Sequence, residues 1–203
     1  MFSTIGEFVT LMNAGGWVMW VLFALNLALW YGLGYRYLML RRGTEGSIRR
    51  LVVKHQTRGK EQALRGLLDY AVADAVTASD EAEQLGLARR DYVEGALFPY
   101  MTSVGKYATL VGTIVMLAPL IGLLGTVIGM IETFDALQTG SVFSQASSIS
   151  GGISKALYTT ELGLVVSVPG LILGKILDKQ EERYELDFEQ IADVICTKDE
   201  YEI

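Results

Sequence analysis

Thr159, Thr160 and Glu161 are consecutive, and they place two hydroxyls and a carboxylate within an otherwise apolar stretch. A carboxylate near the middle of a membrane-length helix costs roughly 2.5–3.5 kcal/mol on insertion scales. Such a group faces a bundle interior, water or a pairing partner, and marks a functional site by default. For Glu161 the alternative is a structural polar contact with a neighbouring subunit. Lys155 lies six residues earlier, about 120° away on a helical wheel, which argues against an ion pair with Glu161 along one helix. Its long stem can carry the ammonium to an interface. No nucleophile–base pair, metal cluster or phosphate loop accompanies these groups, so the pattern is not that of an enzyme. One histidine, His55, and one cysteine, Cys196, exclude a multi-histidine metal site and a disulfide framework. No cofactor is expected.

At 100° per residue, Gly112, Pro119, Gly122, Thr126, Gly129 and Thr133 share one side of a helix. On a second helix, Ala156, Thr160, Gly163, Ser167, Gly170 and Gly174 do the same. Each helix thus carries a seam of small residues with hydroxyls embedded in it. Small residues let membrane helices approach closely, so Gly125/Gly129 and Gly170/Gly174 are also what a packing face requires. Pro119 and Pro169 interrupt the two segments and free backbone carbonyls that neighbours or a cation could satisfy.

The elements that hold these residues follow from composition. The chain has 203 residues, of which 51% are hydrophobic and 20% charged. No charge occurs from Phe8 to Tyr35 or from Tyr107 to Ile131. Both stretches exceed the length that signals a bilayer span. Three spans are expected: 17–40, 107–131 and 153–176. The first has aromatics at both ends, suited to bilayer interfaces. Residues 1–16 lack the basic residues of a secretory leader, so it reads as a retained anchor. A net charge of −6 argues against nucleic-acid binding.

Arg36, Arg41, Arg42, Arg49, Arg50, Lys54, Arg58 and Lys60 follow the first span, whereas residues 1–16 and 132–152 contain no Lys or Arg. The positive-inside rule then places the N-terminus and a loop over 132–152 outside, and a helical region over 41–106 and a C-terminal helix over 177–203 in the cytoplasm. The basic run would favour anionic lipid headgroups. Helical periodicity recurs in Leu64, Leu67, Leu68 and Ala71, in Leu85, Ala88, Tyr92 and Ala96, and in Tyr184, Phe188, Ile191 and Ile195. Gly59 and Thr77–Asp80 read as breaks. With no strand alternation, the expectation is one all-α membrane unit over 1–203, whose polar seams are hidden by closed oligomerisation as a ring.

The runs Ala118-Pro119-Leu120-Ile121-Gly122-Leu123-Leu124-Gly125-Thr126-Val127-Ile128-Gly129-Met130-Ile131 and Gly152-Ile153-Ser154-Lys155-Ala156-Leu157-Tyr158-Thr159-Thr160-Glu161-Leu162-Gly163-Leu164-Val165-Val166-Ser167-Val168-Pro169 resemble the MotA/TolQ/ExbB proton-channel family. Gly15-Gly16-Trp17 resembles the entry to the first span of its ExbB-type members. Three spans and modest length are similar to ExbB and TolQ rather than to MotA-type stators.

The resemblance implies a homopentamer in a bacterial inner membrane, with the second and third spans around a central pore. It implies a dimeric ExbD- or TolR-like partner whose single helices occupy that pore, and a TonB- or TolA-like protein on which ion flow does work. It places Thr126 and Thr160 on the ion pathway, with Thr159 and Ser167 extending it and Glu161 tuning the local potential or a subunit contact. Gly112, Pro119, Gly122, Gly129, Gly163, Pro169 and Gly170 form the packing seam. Where ExbB and TolQ commonly carry a glutamate, this chain has Lys155. Adjacent threonines and a carboxylate could coordinate Na⁺ through oxygen as well as pass H⁺. The competing readings are a Na⁺-driven member of the family and a membrane scaffold whose seams only pack against a client.

Overall fold

The computed structural model describes residues 2–40, 48–49, 51–52, 66–139 and 142–197. These are helical with short connections: α1 Phe2–Ala14, α2 Trp17–Met39, α3 Leu67–Leu85, α4 Arg89–Val104, α5 Ala108–Thr139 and α6 Val142–Cys196. Among the described residues, three helices are long and apolar enough to cross a membrane. The protein is therefore all-α, with the features of a multi-pass membrane protein and helical extensions beyond the spans. Gly59, Leu64, His55 and most of the basic run after the first span lie outside the described residues.

The described chain divides into two compact units. The first comprises residues 1–34 and 107–175. Here α1 meets α2 at a corner where Gly16 adopts φ +69°, a backbone conformation that glycine enters without a Cβ penalty. Phe8 and Phe23 meet edge to face across that corner. Helix α2 buries Val18, Leu22, Leu29 and Leu33, one face at helical spacing, and leaves Trp17, Trp20, Leu27, Trp30 and Tyr31 exposed. An exposed apolar face of this length is what a bilayer, rather than water, covers. Helix α5 starts beyond Tyr107, whose φ is +67° and whose ring packs on Tyr31. Pro119 and Pro169 sit inside continuous helices.

The segment 132–152, expected as a loop, is helical where described: α5 continues to Thr139 and α6 starts at Val142. Hydropathy marks where an apolar run ends, and Glu132 and Asp135 end that run without breaking a helix. Residues 1–16, which carry no periodic polar face, also hold a helix, α1.

The second unit comprises residues 35–106 and 176–203. The two helices α3 and α4 form a hairpin. Its turn is at Gly86, φ +64°, where the Gly86 N–H donates to the Glu83 carbonyl and the Leu87 N–H to the Ala82 carbonyl. That is the pairing of a Schellman motif, which closes a helix end. The expected break at Thr77–Asp80 is thus absent. The Thr77 hydroxyl donates to the Ala73 carbonyl at 2.9 Å, so it is satisfied without leaving the helix. The stripe Leu85, Ala88, Tyr92 and Ala96 also fails as a core face, because the turn at Gly86 interrupts it. Leu85 and Tyr92 are exposed, and α4 instead buries Val93, Leu97 and Val104. The tail stripe Tyr184, Phe188, Ile191 and Ile195 is buried. Arg36 is buried in this unit, with its NH2 atom 3.0 Å from Asp178 Oδ1 and 2.5 Å from Glu181 Oε2. Glu181, beyond the spans, has its pKa raised by burial despite the opposing Arg36 charge.

Candidate functional site between the two long helices

Within the first unit, α5 and α6 run antiparallel with their small residues facing one another. A Cβ on Gly122 would lie 2.9 Å from the Thr159 carbonyl oxygen and 3.2 Å from Thr160 Cα. One on Gly129 would lie 2.7 Å from the Gly152 carbonyl oxygen, and one on Gly163 2.8 Å from that of Ala118. Backbone thus meets backbone along this line, which only residues without a side chain allow. Farther along, Gly170 faces Val115 and Leu29, so α2 packs on the same pair. Pro119 and Pro169 are half-buried beside the seam. Gly112 is exposed, with nothing near its missing Cβ. The wheel aligned it with the seam, but at that level α5 turns Val111, not Gly112, toward Gly32 of α2 and Gly174 of α6.

The hydroxyls divide into two classes. Thr159 is fully buried against Gly125 and donates to the Ala156 carbonyl at 3.0 Å. Ser167 is buried and donates across to the Val115 carbonyl at 2.9 Å. Both face the neighbouring helix of the same chain. Thr126 and Thr160, by contrast, are half-exposed. Their hydroxyls donate to the carbonyls of Leu123 at 2.7 Å and Ala156 at 3.3 Å. A hydroxyl that donates inward still presents two lone pairs, so each oxygen can accept from water or approach a cation. The Gly122 and Gly129 contacts bracket Thr126 and reach Thr160 and Ala156, so the two threonines occupy neighbouring levels on adjacent helices.

Glu161 is exposed, and it shares its face of α6 with exposed Leu157, Leu164, Val165 and Val168. One residue beyond Thr160, and so about 100° farther around the helix, it lies away from the seam. Lys155 lies elsewhere again: its ammonium is 2.5 Å from Glu132 Oε1 on α5, and its stem passes Gly16, where a Cβ would meet Lys155 Cε at 2.7 Å. Sequence reasoning missed Glu132. The signal was there, because Glu132 ends the charge-free run of α5 at the level where α6 carries Lys155. Antiparallel pairing of the two seams puts them opposite.

Among the described residues, no cluster of His, Cys, Asp or Glu could hold a metal ion. Comparison with curated proteins returns no significant match. The model of the MotA/TolQ/ExbB proton channel family matches residues 60–190, which takes in α3, α4, α5 and most of α6 with both seams. The match covers more than half of the chain, and the chain belongs to the MotA/TolQ/ExbB proton channel family.

Proposed function

We propose that this chain is an ion-conducting motor subunit of the ExbB/TolQ type, acting as one unit over its whole length. Five copies would form a ring in a bacterial inner membrane, with the N-terminus periplasmic and the C-terminus cytoplasmic. Thr126 and Thr160 would line the axis, around the single helices of an ExbD- or TolR-like dimer. Proton flow through that path would turn one component against the other and do work on a TonB- or TolA-like protein. Each unit charge crossing 100 mV releases about 2.3 kcal/mol, so substantial work requires several ions.

The observation that carries the reading is the pair of half-exposed hydroxyls, Thr126 and Thr160, on adjacent antiparallel helices of a member of this family. Ser167 would support the pathway from behind by bonding α6 to α5, and Thr159 by packing its side chain against Gly125. A scaffold whose glycines grip a client helix is less well supported, because those glycines are already spent on packing α5 against α6. Glu161, exposed on an apolar face, would meet a neighbouring subunit or tune the ion pathway.

Liposomes holding the chain with its single-span partner test the proposal. An imposed proton gradient should drive flux, and Thr160→Val should reduce it at least tenfold while the assembly elutes unchanged. Undiminished flux in Thr160→Val and in Thr126→Val would remove the pore assignment. A sodium gradient that drives flux where a proton gradient does not identifies the Na⁺-driven alternative.

A further inference from the structure

A seam of small residues specifies closeness but not register. On α6 the positions Gly152, Ala156, Gly163, Gly170 and Gly174 recur at helical intervals of four and seven. A slide of α5 by one or two turns would again set Gly122, Gly125 and Gly129 against small residues. Such a slide would cost little in packing, since one Gly-on-Ala contact resembles another. Asymmetric contacts must select the observed register; the Ser167–Val115 bond is one near the middle of the pair, and the end that carries Gly129 and Gly152 needs its own. In soluble helical assemblies that task falls to a polar or ionic group within an otherwise uniform interface.

The Glu132–Lys155 pair has the required properties. It joins α5 to α6 immediately beside the close contact of Gly129 with Gly152 and Ala156. The Lys155 side chain is only 15% exposed, and Glu132 is 50% exposed. A slide of one turn, about 5.4 Å, would carry the carboxylate out of reach and leave the ammonium beside apolar residues without its counter-charge. The α1–α2 corner adds a third wall, since the Lys155 stem lies where any side chain on Gly16 would be.

We propose that Glu132 and Lys155 are positioning residues that lock the register of α5 against α6. The lock holds the Thr126 level of one helix beside the Thr160 level of the other. The inference goes beyond the conduction reading and is measured without ion flux, so either can fail alone.

The test is a distance measurement between spin labels at Met116 on α5 and Leu157 on α6. Both sites are exposed, and they are offset along the helix axis, so a slide changes their separation almost directly. Cys196 is replaced by Ser, which leaves the two labelled positions as the only thiols. Labelled chain is diluted with unlabelled chain in lipid, so that distances within one copy dominate. The parent should give one narrow distance. Lys155→Met and Glu132→Gln should each add a second population displaced by about one turn. Lys155→Arg should keep the single distance, and the exchange Glu132→Lys with Lys155→Glu should restore it. One unchanged narrow distance in both neutral variants overturns the proposal, as does an exchange variant that stays divided. If Lys155→Met does not accumulate, Glu132→Gln, which alters a half-exposed carboxylate, carries the comparison.

Discussion

The Ser167 hydroxyl donates to the Val115 carbonyl at 2.9 Å, a bond between two helices across 52 positions of sequence. It is buried, and it sits between the close approach at Gly163 and that at Gly170. A serine at this place therefore ties the midpoint of the helix pair rather than offering its oxygen to an open surface.

Ser167→Ala should cost about 1–3 kcal/mol, more than the ~0.6 kcal/mol mean for hydrogen bonds between membrane helices, because Pro119 has no N–H to offer the Val115 carbonyl and the serine hydroxyl supplies that partner. Ser167→Leu should cost far more, since the seam has no volume for it. Unfolding of the reconstituted protein by denaturing detergent measures both. Equal losses in the two variants would show that the helices are not packed here.

Gly163→Ala and Gly125→Ala should destabilise by about 1–3 kcal/mol each, the usual range for overpacking. The new methyl of the first meets the Ala118 carbonyl oxygen, and that of the second meets the Thr159 side chain. Gly112→Ala should be neutral or slightly stabilising, because nothing lies near that position and alanine is the better helix former. The contrast between these glycines is checked by the same detergent titration.

Arg36 predicts an asymmetry. It is 1% exposed, while Asp178 and Glu181 beside it are 46% and 17% exposed. Removing both carboxylates leaves a buried cation unpaired, so Asp178→Ala with Glu181→Ala should cost about 3–5 kcal/mol. Arg36→Met should cost less, because exposed Asp178 keeps its access to water. Thermal unfolding monitored by circular dichroism ranks the two.

The Tyr100 hydroxyl donates to Asp74, and burial, followed by that bond and the Asp74 charge, pushes its pKa up to about 12. A phenol raised in the folded state favours folding fully below the ordinary value near 10, and the contribution disappears as pH climbs through about 12. Between those limits Tyr100→Phe should lessen the alkaline sensitivity of the α3–α4 hairpin. Amide exchange in α3 between pH 9 and 12 reads the difference, and identical profiles for parent and variant would exclude it.

Much of this architecture can be read from the charge-free runs and from helical periodicity. Those features suffice to find three spans and the seams that include Gly122, Gly129 and Gly163, because both are properties of one helix at a time. They do not identify the neighbour each seam meets. A wheel therefore groups Thr160 with Ser167, although one is half-exposed and the other is bonded to Val115. The same limit hides Glu132 as the partner of Lys155, and Asp178 and Glu181 as partners of Arg36. Each of these pairs joins residues distant in sequence and arises only after helices pack. Helix α1 escaped notice because Phe2–Ala14 has few charges to outline a polar face.

The backbone contacts at Gly122, Gly129 and Gly163 carry a genetic consequence. Since both partners are main chain, no compensating exchange elsewhere can make room for a new methyl. Random codon libraries should recover almost nothing but glycine at these three positions, while Leu120, Leu123 and Val127 on the exposed side of α5 accept most oily replacements. The gene can drift freely on one flank of this helix and is frozen on the other.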